Sequence, residues 1–118
     1  MAAVPLGIPA TSAQLAVSPG TDLYTCPAGV HARITNLSFL NTTGTARTVT
    51  VHIGRNGAAN ADNNKIWSAA PIPIETTVPR GVICHEAIGK VLNPGDVLRA
   101  FADAATAVTP MGSVVEFS

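Results

Sequence analysis

Hydrophobic and polar residues alternate along much of the chain, and turn residues interrupt the alternation roughly every ten to fifteen positions. The clearest segment is 46–55, where Val49, Val51 and Ile53 share one phase and threonine and histidine occupy the other. Successive side chains of a β-strand point to opposite faces of its sheet. This segment therefore predicts a strand with one face turned towards a core.

Further strands are predicted where the same alternation or short apolar runs recur, at residues 14–18, 22–26, 30–41, 65–70, 82–87, 96–102 and 113–117. Within 30–41 the alternation slips near Asn36, as a β-bulge would produce. The stretch 56–64 is rich in Asn, Gly and Ala and predicts a surface loop.

The first residues behave differently from the rest of the chain. Residues 1–12 contain two prolines, no charge and no regular period, which predicts an extended arm. Val4, Leu6 and Ile8 are apolar but have no evident core of their own to enter. We expect these three residues to lie along a neighbouring protein, the alternative being an arm that frays.

A second unusual segment follows residue 70. Pro71, Pro73 and Pro79 fall on the opposite phase from a run of β-branched residues. Because proline cannot donate to a ladder of hydrogen bonds, this segment predicts an edge strand or an extended connection. Pro71 and Pro73, with the nearby Trp67, are candidates for a protein interface.

No amphipathic helix of ordinary length is evident, and about eight short strands separated by Pro and Gly turns are typical of a β-sandwich. We therefore predict an all-β fold: an antiparallel two-sheet sandwich of jelly-roll or immunoglobulin-like topology, preceded by the arm. The 118 residues suffice for one domain, at 13–118. Periodicity does not choose between the two topologies.

Charge is scarce. Lys plus Arg and Asp plus Glu number 7 each, and charged residues are 12% of the chain, against about 25% in ordinary domains. A free monomer with no net charge has little protection against self-association. This composition favours burial of much of the surface in an assembly, although a monomer solvated by Thr, Asn and Ser is the alternative.

Composition also bears on partners and location. Zero net charge argues against a nucleic-acid partner, which usually requires a basic face. The longest apolar runs are too short for a membrane span. The first charged residue is Asp22, so the N-terminus lacks the positive region of a secretory signal. We expect a chain that stays in the cytoplasm, where Cys26 and Cys84 remain reduced by default.

Candidate chemistry is sparse, and we expect no enzyme activity, no cofactor and no metal site. Cys84, His85 and Glu86 are all potential zinc ligands, but neighbours on a strand point to opposite faces. The loop 56–64 has a single carboxylate, too few for an ordinary calcium site. Trp67 and Tyr24 leave a carbohydrate-binding module as an alternative function, since both rings could stack on a sugar.

Several turn-and-strand patterns resemble small structural proteins of tailed bacteriophages. They are residues 24–30 (YTCPAGV), 34–37 (ITNL), 41–51 (NTTGTARTVTV) and 92–96 (LNPGD). The resemblance covers roughly residues 22–118, without the arm, and transfers no active-site residue.

The resemblance implies a virion component that is often oligomeric. The expected role is a capsid decoration or cement protein, with a neck, tail or fibre component as the alternative. Its expected partners are copies of itself, in a homotrimer, and the major capsid protein or another virion protein. Its expected location is the virion, assembled in the host cytoplasm.

Overall fold

The chain forms two antiparallel β-sheets packed face to face. The computed structural model describes residues 2–7 and 14–117. Within them the strands are β1 (Ala2–Gly7), β2 (Thr21–Thr25), β3 (His31–Asn41), β4 (Arg47–Gly54), β5 (Lys65–Ile72), β6 (Val82–Ile83), β7 (Val91–Leu92), β8 (Val97–Ala102) and β9 (Val108–Phe117). The predicted all-β sandwich is therefore confirmed.

Strand order identifies the topology as a jelly roll. One sheet has the order β1-β9-β3-β6, with β7 also paired to β3, and the other has the order β2-β8-β4-β5. The pairs β1–β9, β2–β8, β3–β6/β7 and β4–β5 are nested, as in one long hairpin wound into two sheets. An immunoglobulin-like fold would place the first two strands side by side in one sheet. Here β1 and β2 lie in different sheets.

The core lies between the two sheets and is built mainly from aliphatic side chains, with Phe39 as the largest fully buried residue. Val49 and Val51 are fully buried and Ile53 is 4% exposed, which confirms the predicted inward face of β4. The largest fully buried side chains are Phe39, Leu15, Ile34, Leu37, Ile72, Leu92, Leu98, Val49, Val51, Val108 and Val114. Such β-branched and branched aliphatic residues suit the half-buried surface of a pleated sheet.

The predicted bulge is present in β3. The register of β3 against β9 shifts between Ile34 and Asn36. Gly112 of β9 lies directly beside the shift, and a Cβ atom there would be 2.3 Å from the backbone oxygen of Asn36. The bulge therefore depends on a residue without a side chain on the facing strand.

The N-terminal segment has a partner within its own chain. Ala2–Gly7 pairs with β9 as an edge strand, and Val4 is partly buried against the core. The backbone of Leu6 lies opposite Gly112, and Ile8 is outside the described residues. The expectation that this segment lacks a core of its own is wrong for Val4, because the outer edge of β9 provides a place for it.

Two predicted strands and one predicted extended segment differ in the structure. Residues 14–18 form no strand: Leu15 N–H donates to Val108 in one sheet, and Ala16 accepts from Ala102 in the other. The predicted strand 82–87 ends at Ile83. The extended run beyond residue 72 turns at residues 75–77. In each case hydrogen bonds to distant or local backbone override a pattern of period two.

The fit of Gly112 against the bulge generates a test. We expect Gly112→Ala to lower the free energy of unfolding by about 1–3 kcal/mol, because the added methyl group must displace the Asn36 carbonyl. The matched control is Gly44→Ala, where nothing lies within 4 Å of the new carbon. Urea denaturation measures both, and equal stability of the two variants would contradict the role of Gly112.

Candidate functional site

Three loops converge at one end of the sandwich, which we call the loop end. They are the β2–β3 loop (26–30), the β4–β5 loop (55–64) and the β7–β8 turn (93–96). Cys26 N–H donates to the Asp96 carbonyl and Gly95 N–H donates to the Cys26 carbonyl, each at 2.9 Å. The loop end is thus a connected structure, of the kind on which jelly-roll and other sandwich proteins often carry binding residues.

A buried carboxylate organises the loop end. Asp96 is 3% exposed and accepts hydrogen bonds from Arg55 Nη1 at 2.5 Å and from the N–H groups of Asn56 and Asn93 at 2.9 Å. The bonds from Arg55 and Asn56 join the β4–β5 loop to the β7–β8 turn. The bond from Asn93 closes the turn itself.

The environment of Asp96 favours its charged form. Burial by itself raises the pKa of this carboxyl, but the N–H groups of Asn56 and Asn93 and the Arg55 guanidinium outweigh it. The pKa of Asp96 is therefore held below its usual range. As an ionised, hydrogen-bonded carboxylate, Asp96 holds the β4–β5 loop and the β7–β8 turn together.

An open pocket of about 160 Å³ lies beside the Asp96–Arg55 pair. Its lining combines three cationic, two amide and two apolar side chains: Arg55, Lys65, Lys90, Asn63, Asn64, Ile53 and Ile66. Three of the chain's 7 Lys and Arg residues thus surround one pocket. The lining residues include no carboxylate, so the pocket is suited to an anionic group.

The amide wall of the pocket is fixed by a buried histidine. Asn64 Oδ1 accepts from the Ala61 N–H at 3.0 Å and lies 2.7 Å from His52 Nδ1, which therefore carries the proton. His52 is 3% exposed and stacks on Phe101, with ring centroids 6.1 Å apart. The outward face of β4 is thus covered here by the 55–64 loop, which the alternation of β4 did not predict.

The candidate interface residues near β5 share one flank of the sandwich. Trp67 is partly buried and stacks on Phe39 of the facing sheet, with ring centroids 5.8 Å apart. Pro71 is exposed near the end of β5, which is an edge strand, one of the two alternatives predicted for this segment, and Pro73 follows the end of the strand. Phe39 also pairs with Val82 of β6, so β5 and β6 border the same flank.

Exposed apolar side chains lie on this flank. Ile83 of β6 is 45% exposed, and Ile88, in the turn that follows β6, is 38% exposed. The turn is tied to β3 by Cys84 N–H, which donates to Leu37, and by Gly89 N–H, which donates to Ile34. We call the adjoining edges of the two sheets, with Trp67 and Pro71 on one and Ile83 and Ile88 on the other, the β5–β6 edge.

The side chain of Tyr24, considered above as a ring on which a sugar could stack, is buried in the structure. It is 9% exposed, and its hydroxyl donates to Glu116 at 2.5 Å. Burial and this bond raise the pKa of the phenol well above its usual range. Trp67 and Tyr24 therefore do not form a common exposed aromatic surface.

Cys84, His85 and Glu86 are separated by the turn that replaces the predicted strand. Cys84 is fully buried, and burial raises the pKa of its thiol to about 11, whereas His85 and Glu86 are exposed. Cys26 and Cys84 are both free thiols. Within residues 2–7 and 14–117 no three His, Cys, Asp or Glu side chains are grouped closely enough to hold a metal ion.

In the described part of the chain no helix has the length and apolarity needed to cross a bilayer.

Comparisons of the sequence with protein-family models and with curated proteins, and of the fold with solved structures, found no match.

Sequence analysis selected Trp67 and Pro71 of the β5–β6 edge as candidate residues. It did not identify Asp96 or the pocket. Asn93-Pro94-Gly95-Asp96 was predicted as a turn, yet the Arg55 and Asn56 groups that bind Asp96 lie about 40 positions away in the sequence. The available signal was a carboxylate at a turn in a chain with few charges. Nothing in the sequence indicated that Lys65 and Lys90 would meet.

Removing the charge of Asp96 tests its role as a tie. We expect Asp96→Asn to lower the free energy of unfolding by about 2–3 kcal/mol, because an amide presents a donor where three donors converge. Asp62→Asn is the matched control, since that side chain is fully exposed. Thermal and urea melts compare them, and equal stability of the two variants would contradict the role of Asp96.

The lowered pKa of Asp96 also predicts a pH dependence. A carboxyl whose pKa is lower in the folded state stabilises the fold fully above its unfolded pKa, about 4. That contribution is lost as pH falls through the folded pKa. We expect the stability gap between the wild-type protein and Asp96→Asn to be constant near neutrality and to narrow below about pH 4. Urea melts at a series of pH values measure this gap, and a gap that widens with acidity would contradict the assignment.

Proposed function

We propose that this chain is a non-enzymatic structural protein of a tailed-bacteriophage virion, a capsid decoration or cement protein that acts as a homotrimer. In this proposal it is assembled in the host cytoplasm and binds the major capsid protein or another virion protein. It acts through shape-complementary contacts with other proteins, without a cofactor. The turn patterns that resemble phage structural proteins and the jelly-roll fold support the proposal.

The observation that carries the proposal is the apolar β5–β6 edge on a chain with few charges and no net charge. Ile83 and Ile88 expose large apolar side chains on β6 and the turn that follows it, and Pro71 and the partly buried Trp67 lie on β5, the edge strand of the other sheet. Burying apolar surface contributes about 25 cal/mol per Å² removed from water. With a net charge of zero, little electrostatic repulsion opposes the approach of a second copy. We assign this edge to contact between copies.

The contact would be made by side chains and not by strand addition. Proline at position 71 of β5 cannot donate a hydrogen bond, and the register of β5 against β4 shifts beside Val51. Ala69 of the same strand has a left-handed backbone, with φ of 44°. Such features are how edge strands avoid open-ended pairing. They favour a closed oligomer over a fibre.

The N-terminal residues have a different place in this proposal. Because Val4 packs on the core and Ala2–Gly7 pairs with β9, deletion of residues 1–12 would also uncover β9. Loss of particle attachment in such a deletion would therefore not isolate a contact made by Leu6 or Ile8. The β5–β6 edge offers a cleaner test.

Two substitutions on that edge test the proposal. We expect the wild-type protein to sediment as a trimer and Ile83→Asp/Ile88→Asp to sediment as a monomer, because two charges would be buried without partners. The matched control is Val17→Asp, since Val17 is 46% exposed but lies in the segment beside β8. It should leave the trimer intact. Analytical ultracentrifugation at micromolar concentration measures all three proteins.

The role in the particle is tested separately. Quantitative mass spectrometry of purified particles should find hundreds of copies for a shell protein, whereas six, twelve or a few dozen copies would place the chain in the neck, tail or fibres. A wild-type protein that sediments as a monomer would contradict self-assembly. Absence of the chain from purified particles would contradict the virion role.

A further inference from the structure

We infer that the cationic pocket at the loop end receives a carboxylate side chain, Asp or Glu, of the protein on which this module sits. The inference rests on the proposed function, because it gives the chemistry of that partner. The pocket is bounded by Arg55, Lys65 and Lys90, and no acidic side chain lines it. This charge complementarity is the basis of the assignment.

The cations are only partly neutralised by the chain itself. Arg55 contacts Asp96 and the Val91 carbonyl through the same atom, Nη1, and no described residue accepts from its Nε or Nη2. Lys65 Nζ lies 3.4 Å from Asp62, whose carboxylate is fully exposed and offers a weak, exchangeable contact. Lys90 has no ion pair with any carboxylate that the structure describes.

The pocket is also held in shape before a ligand arrives. Asp96 fixes Arg55 and His52 fixes Asn64, and both of the fixed residues line the pocket. Ile53 and Ile66 supply an apolar lining that would contact the methylene groups of an acidic side chain. A guanidinium with free donors can bind a carboxylate through two parallel hydrogen bonds, which favours this planar anion. Preorganisation lowers the entropy that binding costs.

The experiment titrates the ¹⁵N-labelled full chain with acetyl-Ala-Glu-Ala-amide, using acetyl-Ala-Gln-Ala-amide as the neutral match and inorganic phosphate as the competing anion. We expect saturable shifts of the amides of Asn64, Lys65 and Lys90 with the glutamate peptide alone. Raising the salt concentration should weaken the binding. Lys90→Gln should weaken it about five-fold, as loss of one partly exposed ion pair does.

The matched control variant is Arg80→Gln, which removes the same charge from an exposed residue next to Gly81, near the Phe39 end of β3. It should bind the glutamate peptide as the wild-type protein does. Equal weakening in both variants would mean that general charge is responsible and would overturn the site. Absence of saturable shifts, or tighter binding of phosphate than of the glutamate peptide, would also overturn it.

Sedimentation of Lys90→Gln distinguishes this inference from the proposed function. We expect this variant to form the same trimer as the wild-type protein, with reduced occupancy on particles. If Lys90→Gln dissociates the trimer, the carboxylate comes from a second copy and the assignment to another protein is overturned. If the peptide does not bind but the trimer and its particle occupancy persist, the pocket assignment fails while the proposed function stands.

Discussion

The pairing of β3 with β9 is the interaction on which the rest of the sandwich depends. These two long strands form the middle of one sheet, and β1, β6 and β7 attach only to them. The ladder runs from His31–Phe117 to Asn41–Val108 and includes a bulge at Asn36 that Gly112 accommodates. Because a bulge increases local twist, it lets one sheet curve over the shared core while its partner strand stays continuous.

Two of the ion pairs hold loops of the sandwich together. Asp96 joins two loops through Arg55 and the backbone N–H of Asn56. Arg99 donates to Asp22 at 2.7 Å and also to the Ala58 carbonyl, and so connects β2 with the 55–64 loop. Buried or partly buried pairs of this kind fix geometry more than they add net stability. Charges committed to such ties contribute little to repulsion between copies. The scarcity of charge and the use of part of it within the fold both support the proposed assembly.

The apolar edge and the cationic pocket are neighbours in the fold. β5 begins with Lys65 and Ile66 in the wall of the pocket and continues to Trp67 and Pro71 on the β5–β6 edge. A single strand thus connects the surface proposed for self-contact with the site proposed for an acidic partner. In the proposed assembly, trimer formation would repeat the pocket three times, so that individually weak contacts with a shell would add through multivalency.

The sequence by itself determined the features that depend on neighbouring residues. Alternation in 46–55 predicted β4 and its core face, and the slip near Asn36 predicted the bulge. The prolines after residue 70 predicted an edge strand or an extended connection, and the edge strand β5 ends at Ile72. Each follows from local rules, because side-chain direction, turn geometry and the missing N–H of proline act within a few residues.

Only the tertiary structure decided which strands pair and which side chains meet. It placed Val4 on the core through β9, covered His52 with the 55–64 loop, and brought Arg55 to Asp96 and Lys90 to Lys65. Contacts between residues so far apart in sequence are set by the nested winding of the whole sheet. Period-two alternation is the same for every partner strand, so it could not specify these contacts.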